Sequence, residues 1–349
     1  MSDASMSGHE VEALARELMS AYETGQMVPV PPSARPGFDL NTAYEVEARL
    51  KQFREAAGHK AVGRKVGYAN KAMWRVFKLE TLVWAHMYDD TVHYDDNNFA
   101  TLNIPHPRSL KIEPEIVFGL KHAVTGEPSD AASALASVDW LALGFEIIDC
   151  PFPDWKFQPG DFVASFGLHA ALVIGDKIPV QHGQTVNLLD QLSAFKLRIS
   201  KAGQLAAHGS GKHSLTSAEF VDEGFPKNSA GSSALADGAS AKSPEFVKDG
   251  SSKNPAGSFA SADKTSLKTS VKDAELVEEG SGKNSLKSPA LCLAELGAAI
   301  RRRFPTNPLS AGEIVSSGTL TAGHPIVKGD VWTAEADGIP LPPLILRLT

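Results

Sequence analysis

Residues 111–120 read KIEPEIVFGL, and the fold turns on how this stretch is placed. Ile116, Val117, Phe118 and Leu120 suit a buried strand. Glu113 and Glu115 stand two apart just ahead of them, so on a strand both carboxylates point to one face. Like charges side by side are costly unless a proton or a cation compensates them. A second buried-strand pattern, LALGFEIID (141–149), carries Glu146 in its middle, where a carboxylate also needs a partner. Three convergent carboxylates with no Cys or His nearby in sequence suit a hard divalent cation held by oxygen, Mg²⁺ or Mn²⁺. The competing account makes all three strand-edge residues that face water or pair with Lys and Arg.

Outward from these strands the chain changes character twice. Val11, Leu14, Leu18 and Tyr22 form a helical stripe ending at Gly25, and after VPVPPSARPG a second helix carries Leu40, Tyr44 and Leu50, with Gly58 as its stop. From about residue 61 short apolar runs alternate with Gly, Pro and Asp: AVGRKVGY, WLALGFEIID, AALVIG, EIVSSGTL and the tail LPPLILRL. The pattern predicts an α+β chain, with a helical region over 1–60 and a β-rich domain over 61–349.

Residues 218–288 interrupt that domain. EFVDEGFPKN (219–228) returns as EFVKDGSSKN (245–254) and as ELVEEGSGKN (275–284), at uneven spacing and without a strong hydrophobic set. The 71 residues include 14 Ser and no Ile, Trp, Tyr, His or Met, too little apolar surface to offset ordering entropy. They are expected to be a duplicated, low-complexity surface insertion.

The 349 residues carry a formal charge of −7 and a pI near 5.9, which argues against a nucleic-acid partner. Cys150 and Cys292 are the only cysteines, so neither a disulfide framework nor a zinc site is expected. No apolar run has membrane length and no signal core is legible, which predicts a cytoplasmic protein without a membrane partner. GSGKNS lacks the spacer of a phosphate-binding loop.

Five segments together carry a resemblance: VGRKVGYANKAM (62–73), KIEPEIVFGL (111–120), GFEIID (144–149), GSGKNSLKSPALCLAEL (280–296) and AGEIVSSGTLT (311–321). They are similar to the fumarylacetoacetate hydrolase superfamily, and within it to the 2-keto-4-pentenoate hydratase/2-oxohex-3-enedioate decarboxylase family. The resemblance implies a mixed β-roll or barrel-like core with a small N-terminal helical region, assembled as a homo-oligomer. It implies Glu113, Glu115 and Glu146 as metal ligands and Lys65, from GRKVG, as an active-site lysine; an ordinary strand-edge lysine is the competing account. Asp149 is expected to orient the site from behind, or to cap a strand end. Ser317, Gly318 and Thr319 resemble the family's substrate-carboxylate contact, against a plain turn. A Gly-Ser-Gly segment should line the site, and the chain offers two, Gly209–Gly211 and Gly280–Gly282; the second, with Ser281 and Gly282, is favoured because a helix follows it directly. Asp89 and Asp90 read better as a turn, and His86, His93 and His169 as packing or surface residues. The implied activity is hydration of 2-hydroxy-2,4-dienoates derived from aromatic meta-cleavage. The alternatives are a 2-oxo-3-hexenedioate decarboxylase, or a non-catalytic subunit of a decarboxylase/hydratase pair. No His/Glu dyad of the kind a carbon–carbon hydrolase uses to activate water is legible.

Overall fold

The computed structural model describes residues 5–95, 97–103, 108–128, 130–181, 183, 185–202 and 274–349. Two helices come first. Helix α1 (Gly8–Thr24) is started by a capping box between Ser7 and Glu10 and is stopped by Gly25 in the left-handed region. Helix α2 (Leu40–Ala56) is capped by Asp39, whose side chain accepts the Thr42 N–H. The expected stripe Val11, Leu14, Leu18 is buried, together with Tyr44, Val46 and Leu50 of α2.

The remainder builds two mixed sheets. The first contains β1 (Ala61–Gly67), β2 (Val83–Tyr88), β3 (Val92–Tyr94), β5 (Lys111–Leu120), β6 (Val138–Ile148), β7 (His169–Ile174) and β11 (Ile314–Ser316), in the order β2-β1-β11-β5-β6-β7-β3. Short strands β8 (Ile178–Pro179) and β12 (His324–Pro325) add to β6 and β5. Pairs β1–β11 and β3–β7 are parallel, and the other neighbours are antiparallel. The second sheet runs β10 (Glu275–Ser281), β9 (Lys196–Ala202), β13 (Val331–Asp337), β14 (Leu344–Leu348) and β4 (Phe99–Leu102).

Alternation along the strands sorts the first sheet's two faces. Ile112, Ile116, Phe118 and Leu120 of β5 join the large core shared with both helices and the second sheet. Val117 points the other way, into a smaller cluster with Met87, Ala142, Leu172, Ile174 and Ile314. Glu113 and Glu115 share that second face with Val117, as expected from their spacing. The mixed sheets with few helices match the expected β-roll class.

One boundary needs correction. The insertion was expected to run to 288, but Glu275–Ser281 form β10, which pairs antiparallel with β9 from Glu275↔Lys201 to Ser281↔Lys196. Pro289 then opens the helix Pro289–Arg303. The low apolar content that suggested an insertion is, over 275–281, the signature of an edge strand: Glu275 and Leu276 are exposed. Two of the repeat copies and the first Gly-Ser-Gly segment, at 209–211, lie outside the described residues.

Candidate active site

The antiparallel register of β5 and β6 assembles the acids. Glu113 lies directly opposite Glu146, and Glu115 opposite Gly144. A side chain at 144 would meet Val117 Cγ2 at 2.6 Å, so glycine leaves the space above Glu115 clear. One carboxylate oxygen from each of the three glutamates falls within 4.8 Å of the others. Pro114 sits between them, where β5 exchanges partners from β12 to β11; a residue without an N–H costs no ladder bond there.

Each carboxylate has a distinct environment. Glu146 is fully buried; its Oε2 pairs with Lys65 Nζ at 2.9 Å, and its Oε1 accepts from His169 Nδ1 at 2.9 Å. Burial pushes its pKa up, but Lys65 and His169 outweigh that and hold it below the usual carboxylate value. Glu115 accepts the Ser316 hydroxyl and the Gly318 N–H (2.9 Å) on Oε2, while its buried Oε1 has no hydrogen-bond partner. Burial and the neighbouring Glu146 and Glu113 charges raise Glu115 well above the ordinary value. Burial and Glu146 push Glu113 up to about 7, against the pull of Lys65. An orphaned buried oxygen, an all-oxygen donor set and two carboxyls held reluctant to ionise fit a hard divalent cation.

Lys65 is 2% exposed, not a surface lysine. Parallel pairing of Lys65 with Ser316 brings it to the acids, and Phe162 covers its ammonium at 5.0 Å from the ring centre. Gly318 adopts φ +86°, and a Cβ there would lie 2.8 Å from Ala69 Cβ, so glycine is needed to turn its N–H onto Glu115.

These residues face a cavity of about 530 Å³. Lys65, Glu113, Gly318 and Thr319 line it, with Tyr68, Met73, Phe77, Trp155, Phe157 and Phe162 as apolar wall. Not every expected residue joins. Asp149 pairs with Arg108 beside a different cavity, one residue past the end of β6 and on its other face. Ser317 is buried at the edge of the site with its hydroxyl unpartnered, and the Gly318 N–H is committed to Glu115 instead of being left for a substrate. Thr319 Oγ1 donates to the Thr321 carbonyl at 2.8 Å. Ser281 and Gly282 do not line the cavity: Gly282 is packed under Leu192 and Phe195, while Glu278 and Asn284 on either side reach in. Asp89 and Asp90 form the turn after β2. His169, expected as packing, is a buried partner of Glu146 whose Nε2 lies 3.0 Å from Thr91 Oγ1. Only the pairing of β6 with β7, which no local pattern announces, brings it there.

No protein-family model matches the chain. The fold is that of 4-oxalocrotonate decarboxylase from Pseudomonas putida G7, solved with magnesium and adipate: TM-score 0.70, 19% identity, 99% of this chain and 100% of that one. Among curated proteins the chain is 27% identical over 201 residues to 2-hydroxyhexa-2,4-dienoate hydratase of Comamonas testosteroni, covering 58% of this chain and 74% of the relative. It is 28% identical over 211 residues to 2-hydroxypent-2,4-dienoate hydratase of Pseudomonas putida (59% and 90%), and 27% over 203 residues to 4-oxalocrotonate decarboxylase of Pseudomonas sp. strain CF600 (58% and 73%). The chain is thus similar, over about three fifths of its length, both to 2-hydroxydienoate hydratases and to 4-oxalocrotonate decarboxylases.

Proposed function

We propose that the chain is a metal-dependent hydro-lyase that adds water to 2-hydroxy-2,4-dienoates, or their 2-oxo-enoate tautomers, from aromatic meta-cleavage. The observation that carries this reading is the cavity's lining. Glu113 lines one end, with Glu115 and Glu146 converging on it from behind, and Lys65 is the sole cation among the described lining residues, already paired with Glu146. A decarboxylase substrate brings a second carboxylate, and this lining offers it apolar rings instead.

Glu113, Glu115 and Glu146 are the residues that would hold Mg²⁺ or Mn²⁺. When bound there, the cation supplies Lewis-acid stabilisation of negative charge on the 2-oxygen of a 2-oxo acid. Lys65 keeps a fixed positive charge beside that oxygen and, through Glu146, orients the carboxylate cluster. His169 holds the other Glu146 oxygen, so the carboxylate cannot swing. Tyr68, Phe77, Trp155 and Phe162 exclude water from the alkyl end and hold the conjugated chain in one orientation.

The reading includes a homo-oligomer in the cytoplasm, with a decarboxylase of the same family as a candidate partner. No helix among the described residues is long and apolar enough to cross a membrane. The test is direct: purified chain, Mg²⁺ and 2-hydroxypenta-2,4-dienoate. Loss of ultraviolet absorbance with a 4-hydroxy-2-oxo acid as product and no CO₂ is the expected result. CO₂ release from a 2-oxo-3-hexenedioate, without hydration of the dienoate, overturns it, as does full turnover in excess chelator.

A further inference from the structure

Glu278 is unused by the chemistry described so far. It sits on β10 and lines the same cavity as Lys65 and Glu113. Its Oε2 accepts from His324 Nε2 at 2.7 Å and from the Ala322 N–H at 3.0 Å. His324 is held from below by Trp332, stacked at 5.9 Å between ring centres. β12 pairs His324 with Ile112, the residue before Glu113, and a Cβ on Gly323 would lie 3.1 Å from Glu113 Oε1. Strand β10 of the second sheet therefore presents the Glu278 carboxylate to the cavity wall, held by the His324 imidazole of β12, the first-sheet strand next to the acid-bearing β5.

We propose that Glu278 is the general base that activates the attacking water, with His324 as its positioning residue; this rests on the hydratase reading above. Hydration needs a base separate from the groups that hold the 2-oxo acid. Lys65 cannot serve, because its ammonium is engaged by Glu146. Glu278 takes one proton from water as the water oxygen bonds to C4 of the 2-oxo-3-enoate. The C3–C4 π pair moves to C2–C3, and the C2–O π pair moves onto the 2-oxygen. The carbonyl then re-forms as the proton on Glu278 passes to C3. One water is added, no electrons are gained or lost, and the base is regenerated. The N–H groups of His324 and Ala322 hold the carboxylate aimed before water arrives.

Earlier ketonisation of the dienol needs no water activation, so the two steps separate experimentally. The test uses the full chain with Mg²⁺ and 2-hydroxypenta-2,4-dienoate in D₂O. Ketonisation is read as deuterium incorporation and hydration as 4-hydroxy-2-oxo acid by NMR. Glu278→Gln should lower hydration about 10²-fold, and the ratio of ketonisation to hydration should rise at least about tenfold, so that the 2-oxo-3-enoate accumulates. His324→Gln should move the ratio the same way by a smaller factor. Mn²⁺ affinity of both variants, measured by EPR, checks that the acid cluster survives. If Glu278→Gln slows both steps equally while Mn²⁺ affinity holds, the pair only pins β10 to β12 and the proposal is overturned. Hydration at the wild-type rate overturns it as well. A wild-type chain that carries out neither step overturns the hydratase reading, and the role of Glu278 falls with it.

Discussion

Loading of the acid cluster should be a proton exchange, and pH is the perturbation that exposes it. Glu113 is held at about 7 and Glu115 is also raised, so near neutrality the metal-free chain keeps protons that an entering cation must displace. Below about 7, each further pH unit cuts the ionised fraction of Glu113 about tenfold, so Mn²⁺ affinity should weaken by about tenfold per unit, and more where Glu115 contributes. Calorimetry in buffers of different ionisation enthalpy should count about one to two protons released per cation. Stability of the metal-free chain runs the other way. The folded state binds a proton that the unfolded chain, with an ordinary value of 4.5, has lost. This contribution is therefore fully present below about 4.5 and disappears as pH rises through about 7. The distance between those values sets an upper limit of about 3 kcal/mol, reduced by water in the cavity. Thermal melts with chelator should thus fall, and Mn²⁺ affinity rise, over the same interval. Flat affinity across that interval with no proton release would refute a cation site built on these carboxyls.

His169→Ala frees Glu146 Oε1 and should weaken Mn²⁺ binding about 10- to 100-fold by EPR while the chain stays folded by circular dichroism. Gly282→Ala places a methyl 2.0 Å from the Leu192 carbonyl, in backbone that cannot yield easily. A loss of about 1–3 kcal/mol in chemical denaturation is expected, and a neutral effect would contradict the packing. Lys65→Met removes the partner of a buried carboxylate; it should destabilise the metal-free chain by about 3–5 kcal/mol, and Mg²⁺ should restore part of the melting temperature. Joining 202 to 274 by a short turn should leave a folded chain that still binds Mn²⁺, because β9 and β10 are antiparallel neighbours with Lys201 opposite Glu275. Deleting 218–288 instead removes β10 and should give an unfolded or aggregated product.

The site was legible wherever local spacing suffices. Glu113 and Glu115 share a face because strands alternate, and Glu146 stood out as a charge inside an apolar run. Lys65 needed the resemblance, because nothing in AVGRKVG tells which of Arg64 and Lys65 turns inward. Arg64 in fact pairs with Glu313, leaving Lys65 to the acids. What the sequence concealed depends on registry between distant strands. Asp149 is three residues past Glu146 and so falls on the opposite face, against Arg108. His169 reaches Glu146, and Glu278 the cavity, only through pairings of β6 with β7 and β9 with β10. Edge strand β10 was hidden for another reason: its polar, Ser-flanked composition is what an exposed edge and a flexible tract have in common.

The ammonium of Lys65 against Glu146 has a consequence for how the molecule matures. With that pair formed and protons retained on the other two acids, the pocket stands close to electrical neutrality before any ion enters. Chain collapse and ion uptake are then separate events in time. A chain folded without divalent ions should therefore take up Mn²⁺ with no refolding in between.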